Sequence, residues 1–585
     1  MRWLHQIDRS QRLVLFAVLL GLIGGAGAQL FLWLLHLGEV LLIQPLGHYH
    51  YLTVTAAHRN PVAPAFRVYW LIPIATTVGG LLAGVLVYTF APEAEGHGTD
   101  AAVRAFHQTG GKMRPRTPLV KSIASAITIG SGGSAGREGP TAQIAAGVGS
   151  ILGGVVRAPV DERRLIVLMG MAAGLSAIFK SPLGTAIFAV EILYSGMAFE
   201  GEALLYTLIS AAVAYAVTGA IEGWTPLFFV PRESFGTPFD LIWYSVVGIL
   251  AGLIGAVLPL VFYGVRDAFK KLSLPNHVKP AIGGLIVGLI GMVLPGILGG
   301  GYGYMQLALE GAGGLSVSLL LLLVFGKIVT LSLTIGSGGS GGVFAPALYI
   351  GAMLGAATAT LLHLVGFSSI STAGLAVVGM TAVFAGAARV PIASMVMVIE
   401  MTGGFQLIMP AMMAVALSFI VQSAVTRHSR YPTLYEAQVP FPTDSPVHQQ
   451  LYQEVAARLL RSRQMSIDED TLVHLIGDRI SAEQGIPFLH GHERLYRVQL
   501  PAGAPIVGRP VRDLGLENFL VIALLRQEHR ILPDAATLFQ VGDELVVAAA
   551  PETMSRFREM IASPAAATNT GAAGALDARV HGDDT

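Results

Sequence analysis

Glu138 stands where a charged group is least expected. It lies in residues 130–140, GSGGSAGREGP, five glycines around an Arg-Glu pair inside an apolar region. Residues 336–346, GSGGSGGVFAP, repeat the pattern 206 residues later with Phe344 in the glutamate's place. Each stretch ends in a proline and then a run able to form a helix, PTAQIAAGVG and PALYIGAML. Proline suits the first turn of a helix, where its missing N–H costs nothing. Each glycine loop is therefore expected to feed a helix N-terminus, whose free N–H groups and dipole favour an anion. Glycine lets the backbone come close to that anion. Two such termini facing each other would hold an anion without a full positive charge, weakly enough to release it. Glu138 would compete with the anion as a tethered carboxylate. Ionisable groups inside a membrane are functional candidates by default. The alternative is a structural pairing of Glu138 with Arg137, which the second copy, Val343-Phe344, dispenses with.

The elements that must position these residues are membrane helices. The chain has 585 residues, of which 53% are hydrophobic and only 13% charged, with a mean hydropathy of +0.63. A soluble domain carries about 25% charged residues, so a polytopic membrane protein is expected. Residues 13–38, 68–92, 241–265 and 280–309 carry no Asp, Glu, Lys or Arg. A span needs roughly 20 apolar residues. Residues 328–388 are uncharged throughout and must hold more than one segment. Many apolar runs are broken by Gly or Pro, as in KSPLGTAIF and ARVPIASMV. Broken helices are tolerated at membrane depth only where they are buried or line a cavity. A net charge of zero suggests no nucleic-acid partner, and the absence of cysteine removes thiolate chemistry. The start, MRWLHQIDRSQR, reads as a retained cytoplasmic end and not a signal peptide.

An internal duplication is visible. TIGSGGS occurs at 128–134 and again at 334–340. Gly170-Met171, Pro182 and Glu191 recur as Gly379-Met380, Pro391 and Glu400, each 209 residues later. Paired interruptions in two halves point to a substrate site between them. The strings alone leave open whether the repeats are inverted.

GREGP and GGVFAP, in this order and spacing, resemble the CLC chloride channels and chloride/proton antiporters. The resemblance covers about residues 12–437. It implies an all-α polytopic membrane protein, an inverted repeat of short, broken, tilted helices with halves at about 13–220 and 240–437. It further implies a homodimer with one pathway per subunit in the lipid bilayer. Glu138 matches the family's gating glutamate, which can also carry a proton. Gly136, Arg137, Gly139, Val343, Phe344 and Ala345 match its anion-binding backbone, and Tyr435 in PTLYEAQ matches the tyrosine at the central chloride. Two positions depart from the pattern. In APEAEGHGTDAA, His97 stands where the family has an anion-binding serine and Asp100 where it has proline. The imidazole either donates to the anion, making binding pH-sensitive, or turns away and leaves a backbone amide to serve. Selectivity among chloride, other halides and nitrate is thereby in question. In SPLGTAIFAVEILY, Ile192 occupies the place of the exchangers' internal proton glutamate, and Glu191 precedes it. Glu191 has a twin in Glu400, which marks it as structural.

After residue 440 the composition turns polar. Residues 1–12 are expected as a cytosolic N-terminus and 438–494 as a linker containing an amphipathic helix in EVAARLLRSRQM. Residues 495–562 resemble the RCK C-terminal (TrkA-C) module, a small cytosolic α/β domain, through VGRPVRDLGL and ILPDAATLFQVGDELVV. That implies regulation by a ligand the sequence does not name. Residues 563–585, rich in Ala, Gly, Thr and Asp, are expected to be disordered.

GGKM at 110–113 lacks the Ser/Thr of a phosphate-binding loop, and the 16 histidines show no metal spacing. No cofactor, metal or covalent catalysis is expected. Three readings stand: a passive chloride channel gated by Glu138, a chloride/proton antiporter without the usual internal glutamate, and a fluoride exporter or membrane sensor. Intact GREGP, GGVFAP and Tyr435 speak against the third. A bacterial inner membrane with both termini cytoplasmic is the expected location.

Overall fold

The computed structural model describes residues 8–448, 486–488 and 493–562, apart from 63, 65–66, 232–237, 312–314, 368, 502, 517–518, 527–528, 532 and 534–535. The expected amphipathic helix of the linker and the expected disordered tail lie outside the described residues. Residues 1–447 and 448–585 form two compact units.

The first unit is helical. Its first half runs α1 Arg9–Gly38, α2 Gln44–Gly47, α3 Val54–Arg59, α4 Ile72–Phe90, α5 Thr99–Gln108, α6 Thr117–Gly130, α7 Glu138–Val155, α8 Val160–Phe179, α9 Pro182–Glu191 and α10 Gly201–Glu222. The second half runs α11 Asp240–Lys271, α12 Lys279–Val293, α13 Tyr302–Leu309, α14 Val317–Gly336, α15 Phe344–Leu364, α16 Thr372–Ala388, α17 Pro391–Thr402 and α18 Ile408–Val425. Among the described residues seven helical stretches are long and apolar enough to cross a membrane, and four shorter apolar helices accompany them. Local sequence sets many of the starts. Proline opens α4, α6, α9, α12 and α17, where a missing N–H is harmless. Asp8, Ser316 and Ser371 cap α1, α14 and α16 through side-chain oxygens that accept from backbone N–H groups.

The two halves are related by a two-fold rotation, and their shared contacts are reciprocal. Glu191, at the end of α9, accepts from the N–H groups of Ile392 (3.1 Å) and Ala393 (2.6 Å) at the start of α17. Glu400, near the end of α17, accepts from Ser181 Oγ (2.6 Å) and the N–H of Gly184 (2.8 Å) at the start of α9. The two helices are thus antiparallel, each capped by the other's glutamate. Thr334 Oγ1 accepts from Ser134 N (3.0 Å), and Thr128 Oγ1 from Ser340 N (3.4 Å). Gly136 and Gly342, equivalent residues, exchange N–H···O bonds of 2.8 and 2.7 Å as an antiparallel pair, and so sit on the rotation axis. The repeat is inverted, which the repeated strings left open.

Small residues allow this packing. A Cβ on Gly351 of α15 would strike the Gly379 carbonyl of α16, and one on Gly170 of α8 would strike the Ala145 carbonyl of α7. Helices in lipid gain by such close backbone approach, since their environment is as apolar as they are.

The second unit contains an antiparallel sheet in the order β1-β2-β5-β3-β4: β1 Ile486–Phe488, β2 Glu493–Gln499, β3 Phe519–Arg526, β4 His529–Ile531 and β5 Glu544–Ala549. Helix α19, Pro551–Ile561, lays Met554, Phe557 and Ile561 into its core, a spacing that keeps them on one helical face. Phe557 meets Phe519 at 4.5 Å between ring centroids. Arg526 reaches both oxygens of the buried Asp543, at 2.8 Å each.

Candidate functional site: two helix N-termini and a tethered carboxylate

The two glycine loops meet at the rotation axis and deliver the starts of α7 and α15 to one place. Glu138 is the first residue of α7 and Phe344 the first of α15, two residues before each motif's proline. The N–H groups of the first turn have no intrahelical partner, so those of Gly139 and Ala345 are available there. The Glu138 carboxylate, 1% exposed, takes one of them: Oε2 accepts from Ala345 N at 3.4 Å. Its other oxygen accepts from the Tyr302 hydroxyl. Arg137, at the N-cap, places its guanidinium 4.5 Å from the Tyr302 ring centroid. Val343 is the N-cap of α15. The Phe344 ring packs against Phe384, Phe179 and Phe188 at 4.1, 4.4 and 5.8 Å.

His97 lies on the loop between α4 and α5. This loop seats directly on the start of α7: a Cβ on Gly139 would strike the His97 carbonyl, and one on Gly98 would strike the Gly139 carbonyl. Gly98 also has φ +81°, a conformation that other residues adopt at a cost. The His97 and Tyr435 rings meet edge to face at 5.3 Å. His97 Nδ1 and Tyr435 Oη are both buried without a hydrogen-bond partner among the described residues. The Thr99 side chain lies beside the Tyr435 phenol. Buried polar groups are normally hydrogen-bonded, so the pair suits a ligand that bonds to both. Tyr435 is held by its neighbours. Tyr263 donates to the Leu434 carbonyl (2.8 Å), Leu434 N to the Ala387 carbonyl (2.9 Å) and Ala437 N to Asp100 Oδ1 (2.7 Å).

Two cavities related by the same two-fold open toward these groups. One, of about 910 Å³, is lined by His97, Gly98 and the end of α11, with Arg104, Lys112, Arg114, Arg266, Lys270 and Lys279 around Glu93, Glu95, Asp100 and Glu436. The other, of about 430 Å³, is lined by Tyr302, Arg137 and the end of α1, with Glu39 and Glu222. Glu138 stands buried between the loops that border the two. Ile192 lines neither; it is fully buried in the apolar core, its N–H bonded to the Phe188 carbonyl at 3.0 Å.

Four residues acquire a place that sequence reasoning did not give them. Asp100, which stood out only by differing from a proline, ties Tyr435's segment to α5. Lys121 and Lys327 are both fully buried and lie 206 residues apart. Lys121 Nζ donates to the carbonyls of Ala94 (3.0 Å) and Gly96 (2.8 Å), and Lys327 Nζ to those of Ile297 (2.9 Å) and Gly299 (2.6 Å). The fourth is Tyr302. The repeated spacing of the lysines, each just upstream of TIGSGGS, was the available signal.

The family described as voltage gated chloride channel matches residues 79–423, and that described as TrkA-C domain matches residues 495–562. The chain belongs to the CLC family. A ClcB-like protein of Ralstonia nicotianae, provisionally named a chloride channel protein, is 32% identical over 369 residues, 62% of this chain and 85% of that protein. The H(+)/Cl(-) exchange transporter ClcA of Salmonella paratyphi A is 30% identical over 430 residues, 70% of this chain and 85% of the relative. A solved structure of a slow cyanobacterial Cl-/H+ antiporter shares the fold with a TM-score of 0.60 at 23% identity, over 77% of this chain and 99% of that one. The CLC fold, in a membrane protein with a C-terminal TrkA-C domain, is the frame in which the site must act.

Proposed function

We propose that this CLC protein transports chloride between the two cavities, with Glu138 as the gate, and that chloride moves passively. One observation carries the reading. The Glu138 carboxylate accepts the Ala345 N–H of the facing helix terminus, so a tethered anion occupies a place built for a free one. Chloride displaces it, or a proton neutralises it, and the N–H becomes available. His97 Nδ1 and Tyr435 Oη are the side-chain donors of the neighbouring anion position, with the backbone of Arg137, Gly139, Val343 and Phe344 around the path, whereas Gly136, also expected there, gives its N–H to the Gly342 carbonyl. The six Lys and Arg residues of the larger cavity raise the local anion concentration.

Passive movement is supported by Ile192. A proton crossing an apolar interior needs titratable relays, and isoleucine in a packed core supplies none. The second reading, chloride/proton exchange, is favoured by the closed path at Glu138 and by the names of the ClcA relatives. The basic residues of the larger cavity favour a cytoplasmic position for its face of the membrane under the positive-inside rule. The start of α1 is read on the same side, since Arg12 pairs with Glu162 at the start of α8. A homodimer in the bacterial inner membrane, with ligand-linked regulation through the TrkA-C domain, completes the proposal.

The test is chloride efflux from liposomes holding purified protein. Glu138→Gln mimics the neutral gate, so flux persists or rises and no longer depends on acid pH. A folded, chloride-binding variant without flux contradicts the gating role.

A further inference from the structure

The inverted repeat gives the His97 loop a counterpart. Gly98 and Gly301 both have positive φ, +81° and +78°, and each precedes the first residue of a short helix, Thr99 of α5 and Tyr302 of α13. Each loop is clamped from behind by a buried lysine, Lys121 on the Gly96 carbonyl and Lys327 on the Gly299 carbonyl. The first loop presents His97 to the larger cavity, and the second presents Tyr302 to the smaller one. Tyr302 is fixed by more than its own loop. Its ring carries the Arg137 guanidinium on one side and stacks on Phe228 at 6.2 Å. Its hydroxyl donates to Glu138 Oε1.

We propose that Tyr302 is the latch of the gate on the side of the smaller cavity, a positioning residue whose hydroxyl holds the Glu138 carboxylate across the anion path. This deepens the reading of Glu138 as gate and rests on it. A hydrogen bond to the ionised form favours that form over the neutral one, so the latch keeps the gate charged and closed until acid or chloride releases it. The other groups facing Glu138 stay in place when the hydroxyl is removed. They are the Arg137 and Lys327 cations, the Tyr435 phenol and His97 on the loop against Gly139, with Glu39 and Glu222 acting through Arg137.

The experiment is chloride efflux from liposomes over a pH series, for wild type, Tyr302→Phe, Glu138→Gln and the double variant. Phenylalanine keeps the ring between Arg137 and Phe228 and deletes one oxygen. The flux midpoint of Tyr302→Phe moves to higher pH by about one to two units, the range expected for one hydrogen bond to a charged group. At acid pH, where the gate is neutral, Tyr302→Phe matches wild type. In the Glu138→Gln background the same change has no effect. An unmoved midpoint, beside a Glu138→Gln variant that has lost its pH dependence, overturns the latch and leaves the gate standing. A uniform loss of flux at every pH assigns Tyr302 a structural role only and likewise overturns the latch. Retained pH dependence in Glu138→Gln overturns gate and latch together.

Discussion

Glu191 is the glutamate beside the place where exchangers of this family are expected to hold their internal proton relay, so its role bears on coupling. Its carboxylate faces the start of α17 and accepts two backbone N–H bonds, from Ile392 and Ala393. Glu191→Ala leaves both N–H groups without their acceptor, that of Ala393 buried. A hydrogen bond to a charged group contributes about 1.5–3 kcal/mol, and a carboxylate at a helix N-terminus adds about 0.3–1 kcal/mol from the dipole. Burial of the carboxylate offsets part of this, leaving a loss on the order of 3 kcal/mol for the variant. Glu191→Gln keeps one acceptor oxygen and sets its NH₂ against the other N–H, so about half of the loss remains. The assay is thermal unfolding of purified protein in detergent, beside chloride flux per folded protein. Both variants melt several degrees lower, alanine more than glutamine, with flux per folded molecule at 25 °C unchanged. Glu400→Gln also melts lower, because Glu400 accepts from Ser181 Oγ and from the N–H groups of Leu183 and Gly184. A Glu191→Gln variant that melts like wild type but loses flux or proton movement refutes the capping argument and makes Glu191 part of the pathway.

Two further changes address the anion position. His97→Ser alters anion selectivity and apparent affinity, because it removes the imidazole that faces Tyr435; unchanged anion titrations from pH 5 to 8 place His97 outside the path. Gly139→Ala drives a methyl group into the His97 carbonyl and pushes the loop off α7, so chloride binding by calorimetry weakens at least tenfold, or about 1.4 kcal/mol; wild-type affinity contradicts the seating of that loop.

The sequence carried the duplication plainly where identity was retained, in TIGSGGS and in the glutamates 191 and 400. It carried the sense of the repeat nowhere, since direction in space is set by which helix caps which. Glu138, His97 and Tyr435 come together although 338 positions separate the outer two, and the family resemblance, not spacing, joined them. Tyr302 is not legible in the strings, since its equivalent is Thr99, a different residue at a different offset. The match between halves is 203 residues at the Gly96 and Gly299 loops, 206 at the glycine motifs and 209 from α8 onward, so insertions in the connections hide it. Lys121 and Lys327 kept both identity and offset. A lone lysine in a helix ordinarily reaches water along its stem, and only packing shows these two ending on carbonyls.

The reversal potential in opposed chloride and pH gradients tests the central claim most directly, with the protein in planar bilayers or liposomes. Passive transport through the Glu138 gate predicts a potential that follows the chloride gradient alone and stays put when the pH gradient is reversed. A potential that moves with the pH gradient toward a fixed chloride-to-proton ratio contradicts it, and requires a proton route past Ile192.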